Sequence, residues 1–293
     1  MNISPCIFLS TPSASKRIFD ARIKDTMEVT AVFPRKRIVS ILVGLFVFVA
    51  IWAVFLQFLP EKNTAWNYYF NFSYSFLYFF AGAVAVSGAT TLGKQGVLRK
   101  SLLLLGTGFM GQAIALWIWT YYNIDLTIEV PYPSLSDFFY LIFVPTIGLG
   151  LLYLLRIYQF KISRKIIIES CITFLVFSYI IFKFINIPDL SSDLTLLTKI
   201  INIVYPLSDA ILLSLALAVV RVAGGKVHAS LLFMVAGLLL QTTGDFVFSQ
   251  RIITGQYWNG DLSDILFTCA AFVFSLGLIS ISTNSVRGDE NVS

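Results

Sequence analysis

The sequence predicts an all-α membrane protein, a polytopic bundle of eight transmembrane helices with both termini in the cytoplasm. Of its 293 residues, 57% are hydrophobic and only 13% are charged, whereas about one quarter of the residues in soluble domains are charged. Apolar runs near twenty residues long recur eight times, and each is long enough to cross a hydrocarbon core of about 30 Å. The runs lack the alternation of a transmembrane barrel, so their backbone groups must be satisfied within helices.

The apolar runs divide the chain into three parts. The eight predicted spans are 38–59, 67–89, 101–122, 135–155, 166–186, 197–220, 230–250 and 263–283. Together they form one transmembrane domain, 38–283, in helical hairpins, and residues 284–293 are a short cytoplasmic tail. Residues 1–37 are polar and basic and lack the basic-then-apolar order of a signal peptide. We expect them to be a flexible cytoplasmic lead, with Met1 and Met27 both open as the translation start.

The basic residues predict the orientation of the bundle. All but four of the 21 Lys and Arg residues fall in the lead, in the loops after spans two, four and six, or in the tail. The exceptions are Lys62, Lys199, Arg251 and, inside span five, Lys183. The positive-inside rule therefore places both termini in the cytoplasm of a cell-membrane protein, as an even number of spans also requires. Topology thus accounts for the net charge of +5, and no nucleic-acid partner is needed to explain it.

A proline, serine and aspartate motif recurs at the outer entry of three spans. It reads YPSLSD at 132–137, YPLSD at 205–209 and DLSD at 261–264, before spans four, six and eight. Ser or Asp followed three residues later by Asp is typical of a helix N-cap with a capping box, and proline is accepted near helix starts. The residues that we assign to this capping motif are Pro133, Ser134, Asp137, Pro206, Asp261 and Asp264. At about 1.5 Å per residue, Asp137 and Asp264 come out about 27–28 Å from the cytoplasmic ends of their helices, where water is close.

Other polar residues fall deeper, in one layer of the outer half of the bundle. The same count places Asp209 and Asp245 about 18–22 Å from the cytoplasmic ends of their helices. Ionisable groups at such depth cost at least about 2.5 kcal/mol on insertion scales and normally face a cavity or a partner. Gln241 lies four residues before Asp245 and shares its helix face. The candidate ligand-binding residues are Gln112, Asn202, Asp209, Gln241 and Asp245.

Two interpretations of this layer stay open from the sequence. The residues are either a hydrogen-bonded network that joins helices or a pocket for a ligand or ion. Lys183 either extends toward the outer surface or neutralises one of the acids. Pro206 frees the carbonyl of Asn202 if the sixth helix starts before it.

Residue types needed for common enzyme chemistry are missing from the sequence. The only histidine is His228, and the three cysteines are scattered singly, so no metal-ligand spacing exists. There is no phosphate-binding glycine loop and no nucleophile elbow. We therefore expect no enzymatic activity, no metal and no cofactor. A membrane hydrolase with Asp209 and Asp245 as paired carboxylates is the weakest alternative.

The order of three motif regions resembles a known class of membrane domain. YPSLSDFFYLIFVPTIGLGLL, YPLSDAILLSLAL and TTGDFVFSQRIITGQYWNGDLSDILFTCAAFVFSLGL follow one another. They resemble the eight-helix sensor or input region that precedes diguanylate cyclase, EAL phosphodiesterase and histidine kinase modules in prokaryotes. The resemblance covers about residues 38–283 and implies a signal-input region. The sequence departs from the family in the short tail after span eight, so we expect either a free-standing sensor that signals through a membrane partner or a homo-oligomer, or a relative that became a carrier or scaffold.

Three functions follow as alternatives. The first is a receptor-like signal-input module in the lipid bilayer with a polar site in the outer half and no output domain. The second is a transporter of a small solute or cation, and the third is the membrane-embedded hydrolase.

Overall fold

All eight predicted spans are helices in the structure. The computed structural model describes residues 35–92, 96–157, 163–184, 193–222 and 226–284; most of the predicted lead and tail lies outside them. The helices are α1 (Arg35–Phe58), α2 (Ala65–Thr90), α3 (Val97–Ile124), α4 (Leu135–Ile157), α5 (Arg164–Phe184), α6 (Leu196–Val222), α7 (Lys226–Ile253) and α8 (Leu262–Asn284). Each is long and apolar enough to cross a membrane. The predicted fold class is therefore confirmed, with span boundaries correct to within four residues.

Six of the helices close a ring. Helix α2 packs on α3, α3 on α4, α4 on α6, α6 on α7, α7 on α8, and α8 returns to α2. Helix α1 lies outside the ring against α2 and α8, and α5 lies outside it against α6. The contacts of α6 with α4 and with α7 are much less extensive than those between α2 and α3 or between α7 and α8. The ring is therefore loosest around α6.

Close packing between α2 and α3 and between α7 and α8 depends on glycine. A Cβ atom on Gly82 of α2 would lie 2.7 Å from the carbonyl oxygen of Gly106 in α3. A Cβ on Gly237 of α7 would lie 2.5 Å from the ring of Phe274 in α8. Small residues allow helices to approach closely in membranes, where packing rather than water exclusion drives association. These two helix pairs therefore form the rigid part of the ring.

The two ends of the bundle differ in their interior. We call the end with the loops 59–64, 125–134 and 254–261 the outer end, because the charge pattern predicts that it faces outside. The half toward the opposite, inner end is filled mainly by buried aliphatic side chains, among them Leu102, Leu105, Leu154, Leu213, Leu231 and Leu278. The buried tyrosines, aspartates and asparagines lie toward the outer end. Among the described residues, buried acidic and amide side chains are thus confined to the outer half, and the buried polar groups of the inner half are serine and threonine hydroxyls such as those of Ser230 and Ser280.

Candidate functional site: a tyrosine–aspartate cluster

The deepest polar contacts join α2, α6 and α7. The Tyr78 hydroxyl of α2 donates a hydrogen bond to Gln241 Oε1 of α7 at 3.0 Å. Gln241 Nε2 in turn donates to Asp245 Oδ2, one turn along the helix, at 3.3 Å. Asp209 of α6 is close enough to Asp245 for the two carboxylates to interact electrostatically. The loosest junction of the ring therefore carries two neighbouring acids.

A second group of contacts joins α4 to α6. The Tyr205 hydroxyl donates to Asp137 Oδ1 at 2.7 Å. Asp137 Oδ2 accepts from the backbone N–H of Ser134 at 2.6 Å and from the Ser134 hydroxyl at 2.9 Å. Tyr140, one turn after Asp137, lies within electrostatic range of Asp137, Asp245 and Asp264. Tyr140 therefore lies between the α4 contacts and the acids of α7 and α8.

The third group of contacts lies at the start of α8. Asp264 Oδ2 accepts from the backbone N–H of Gly260 at 2.6 Å and from the Tyr257 hydroxyl at 3.3 Å. Tyr74 of α2, which is 2% exposed, lies within electrostatic range of Asp264 and Tyr257. The groups from five helices form one set, which we call the tyrosine–aspartate cluster. It consists of Tyr74, Tyr78, Asp137, Tyr140, Tyr205, Asp209, Gln241, Asp245 and Asp264.

The α7–α8 loop closes the outer end above the cluster. Asn259 Oδ1 accepts hydrogen bonds from Asn71 Nδ2 at 2.6 Å, from Trp119 Nε1 at 2.9 Å and from the Tyr257 hydroxyl at 3.3 Å. The Asn259 carbonyl accepts a further bond from Asn67 Nδ2 at 2.9 Å. Burial, with a further contribution from the Asp264 carboxylate, raises the pKa of Tyr257 well above its usual value. Its hydroxyl therefore remains a donor at neutral pH.

The structure brings together three of the five predicted ligand-binding residues. Asp209, Gln241 and Asp245 are neighbours, as their depth and helical spacing predicted. Asn202 lies elsewhere, because its Oδ1 accepts from the Tyr132 hydroxyl of the α3–α4 loop at 2.7 Å. Gln112 is buried in α3, and among the described residues no hydrogen bond joins it to the other four.

The capping motif differs between its three copies. Ser134 and Asp261 directly precede α4 and α8, and Asp261 Oδ1 accepts from the backbone N–H of Ser263 at 2.8 Å as an N-cap does. Pro206, however, lies inside α6, so its assignment to a helix start is wrong. The apolar residues before it extend the helix outward by ten residues, and the carbonyl of Asn202 loses its helical N–H partner.

The expected closeness of water at the caps is also wrong. Asp264 and Asp261 are each 2% exposed and Asp137 is 9% exposed. Depth along one helix does not reveal the loops and neighbouring helices that cover these carboxylates. Asp137 consequently accepts a hydrogen bond from Tyr205 of α6, and Asp264 accepts one from Tyr257 of the α7–α8 loop. Pro133 lies one residue before Ser134, in the α3–α4 loop.

Sequence reasoning missed the tyrosines of the cluster. Tyr74 and Tyr78, within the aromatic run 67–80, are both 2% exposed and face the interior. Their spacing of four residues was an available signal, as was Tyr140 three residues after Asp137. Tyrosine is also enriched at membrane interfaces, so its position in a span does not show whether its side chain faces the interior of the bundle.

The basic residues near the outer end do not neutralise the deep acids. The ion pairs found among the described residues join Glu169 to Lys165 and Arg221, and Asp261 to Arg251. Lys183, at the outer end of α5, donates to the Tyr179 hydroxyl at 3.3 Å, one turn back on its own helix. Within the described ranges, no three His, Cys, Asp or Glu side chains are arranged to hold a metal ion.

The comparisons with known proteins do not assign a function, so a proposal must rest on the fold and on the tyrosine–aspartate cluster. The resemblance to input regions rests on the order of three sequence motifs, and all three contribute to the cluster: Asp137 and Tyr140, Tyr205 and Asp209, and Asp245 and Asp264. A search across protein families, curated proteins and solved structures finds no match to this chain.

Proposed function

We propose that the protein is a receptor-like signal-input module of the cell membrane, with both termini in the cytoplasm. Its input site is the tyrosine–aspartate cluster, and its ligand is a small molecule with a positively charged amine. The observation that supports this most is the position of Asp245, which accepts from Gln241 and lies within electrostatic range of Asp209, with no basic partner for either acid among the described residues.

The chemistry of the cluster favours such a ligand. Two neighbouring carboxylates in a low-dielectric interior are costly unless a cation or protons compensate them. The surrounding tyrosines offer hydroxyl acceptors and π faces, and both attract an ammonium group. Asp209 and Asp245 are also partly exposed, at the point where the ring is loosest. A ligand therefore has both a counter-charge and a route of entry beside α6.

A path for the signal follows from the position of α6. Helix α6 is held less extensively than the other ring helices, and Pro206 within it removes a backbone hydrogen bond. A ligand bound between Asp209 and Asp245 draws α6 toward α7. Helix α5 moves with α6, because it packs on that helix and pairs Glu169 with Arg221 at the inner end at 3.4 Å. A membrane partner or a second copy reads this displacement.

Transport is the second candidate, and the inner half of the bundle argues against it. The described interior below the cluster consists mainly of buried aliphatic side chains, and a translocation route needs polar groups along its length. Binding without passage is the simpler function for a polar site in one half only. A hydrolase with Asp209 and Asp245 as paired carboxylates is the weakest candidate, because no further feature of the cluster favours it over binding.

The test is ligand-induced stabilisation of the full chain in detergent. Ammonium, ethanolamine, choline, putrescine and spermidine are added singly, and the unfolding temperature is recorded. We expect at least one amine to stabilise the wild type and to have no effect on Asp209→Asn and Asp245→Asn, which stay folded because Asn still forms hydrogen bonds. Glu169→Gln is the matched control and keeps the response.

The result also separates the alternatives. If no amine stabilises the wild type, or if both Asn variants respond normally, the proposed site is wrong. Accumulation of the stabilising amine inside proteoliposomes would identify a transporter instead of a receptor.

A further inference from the structure

A separate cleft lies at the outer end between α2 and α3, away from the tyrosine–aspartate cluster. Its volume is about 290 Å³, and its lining includes Tyr69, Phe72, Trp117, Tyr121 and Asp125. Tyr69 lies near the start of α2, and Asp125 directly follows the last residue of α3. The cleft therefore lies where the headgroups of the outer leaflet meet the protein.

The charge at this cleft is uncompensated. Asp125 is the C-cap of α3, and its backbone N–H donates to the Tyr121 carbonyl at 3.0 Å. The C-terminal end of a helix carries a partial negative charge that favours cations and disfavours carboxylates. The ion pairs of the described residues do not include Asp125. A positive group in the cleft would offset both the carboxylate and the helix end.

The tryptophan ring of the cleft is held in place before any ligand arrives. Trp117 Nε1 donates to the Ser75 hydroxyl at 2.6 Å, and its ring lies 6.1 Å from Phe72 and 5.3 Å from Phe79, centroid to centroid. Tyr69 and Tyr121 are 46% and 51% exposed, so their faces are accessible. Aromatic faces grouped around one space bind ammonium groups by cation–π attraction, which is strongest for tryptophan.

We propose that this cleft binds the ammonium headgroup of a zwitterionic phospholipid of the outer leaflet, either phosphatidylethanolamine or phosphatidylcholine. The carboxylate of Asp125 and the rings of Trp117 and Tyr121 hold the ammonium group. The apolar surface continues from Phe72 toward the membrane centre at Phe76, which is 37% exposed. This continuous surface accommodates an acyl chain, and it favours a lipid over a free solute.

The experiment measures lipid binding to the full chain by native mass spectrometry in detergent. Phosphatidylethanolamine, phosphatidylcholine and phosphatidylglycerol are titrated singly. We expect one lipid with an ammonium headgroup to bind at least about fivefold more tightly than phosphatidylglycerol, and Asp125→Asn or Tyr121→Leu to remove most of this preference. Glu129→Gln, an exposed acid four residues beyond Asp125 and outside the cleft, keeps it.

Three results would overturn the proposal. They are equal binding of phosphatidylglycerol, an unchanged preference in Asp125→Asn, and displacement of the lipid by millimolar phosphocholine, which would identify a free solute as the ligand. Asp245→Asn should leave lipid binding unchanged, so the two sites are tested independently. Circular dichroism of each variant shows whether the fold is retained.

Discussion

Replacement of Asn259 by alanine should destabilise the outer end of the bundle more than any other single asparagine substitution there. Its side-chain oxygen accepts three hydrogen bonds, from Asn71, Trp119 and Tyr257, and the residue is 6% exposed. Alanine leaves the Asn71 and Trp119 donors without an acceptor in a site that water hardly reaches, whereas the Tyr257 hydroxyl can still donate to Asp264. The α7–α8 loop would then lose its attachment to α2 and α3.

The magnitude follows from the number of stranded donors. At about 0.6 kcal/mol per hydrogen bond, the average measured inside a membrane protein, the loss is about 2 kcal/mol. At about 1 kcal/mol for each of the two stranded buried donors, it is also about 2 kcal/mol. A loss of this size corresponds to a fall in unfolding temperature of about 4–8 °C. We therefore expect Asn259→Ala to lower the free energy of unfolding by about 2 kcal/mol.

The assay is thermal and denaturant unfolding in detergent, followed by tryptophan fluorescence. Asn123→Ala is the matched control, because the Asn123 amide donates at 2.9 Å to the Trp119 carbonyl within its own helix. The control should lose about 0.5 kcal/mol or less, since only a local bond is removed. A loss for Asn259→Ala no larger than that of Asn123→Ala would refute the reasoning.

Two further predictions concern topology and the contact between α4 and α6. In a background without native cysteines, a cysteine at Thr254 should react with an impermeant maleimide from outside intact cells, and one at Ser163 should not; labelling at Ser163 alone would reverse the orientation. Tyr205→Phe removes the donor to Asp137 at 2.7 Å and should cost about 1–2 kcal/mol of unfolding free energy, measured by denaturant unfolding in detergent. An unchanged stability would mean that another group satisfies the Asp137 carboxylate.

The sequence predicted the helices well because bilayer thickness sets the length of each apolar run. It also predicted the neighbourhood of Gln241 and Asp245, since residues four apart share a helix face, and it placed Asp209 at their depth. It failed for Asn202, because depth along α6 does not reveal which elements lie beside the residue. The α3–α4 loop then reaches Asn202 through Tyr132.

The remaining contacts depend on which helices are neighbours in space. The order of spans does not reveal that α8 returns to α2, so it cannot place Asn259 above Asn71 or Tyr74 beside Asp264. For the same reason, counting residues along one helix left Asp137 and Asp264 near water, whereas neighbouring elements bury them. Topology and depth can be predicted from each span alone, whereas the polar cluster depends on contacts between spans that are distant in the sequence.

The closure of the ring between α2 and α8 has a consequence for synthesis. The two helices meet through contacts that span most of the chain, including the hydrogen bond from the Ser275 hydroxyl to the Leu77 carbonyl at 2.9 Å. During translation, α2 enters the membrane long before α8 and the loop that carries Asn259 exist. Until then Asn67 and Asn71 lack the partner that the loop supplies to both of them, Asn259, and depend on water and headgroups at the outer boundary. A nascent chain that stops before the last hairpin therefore leaves the polar end of α2 uncovered.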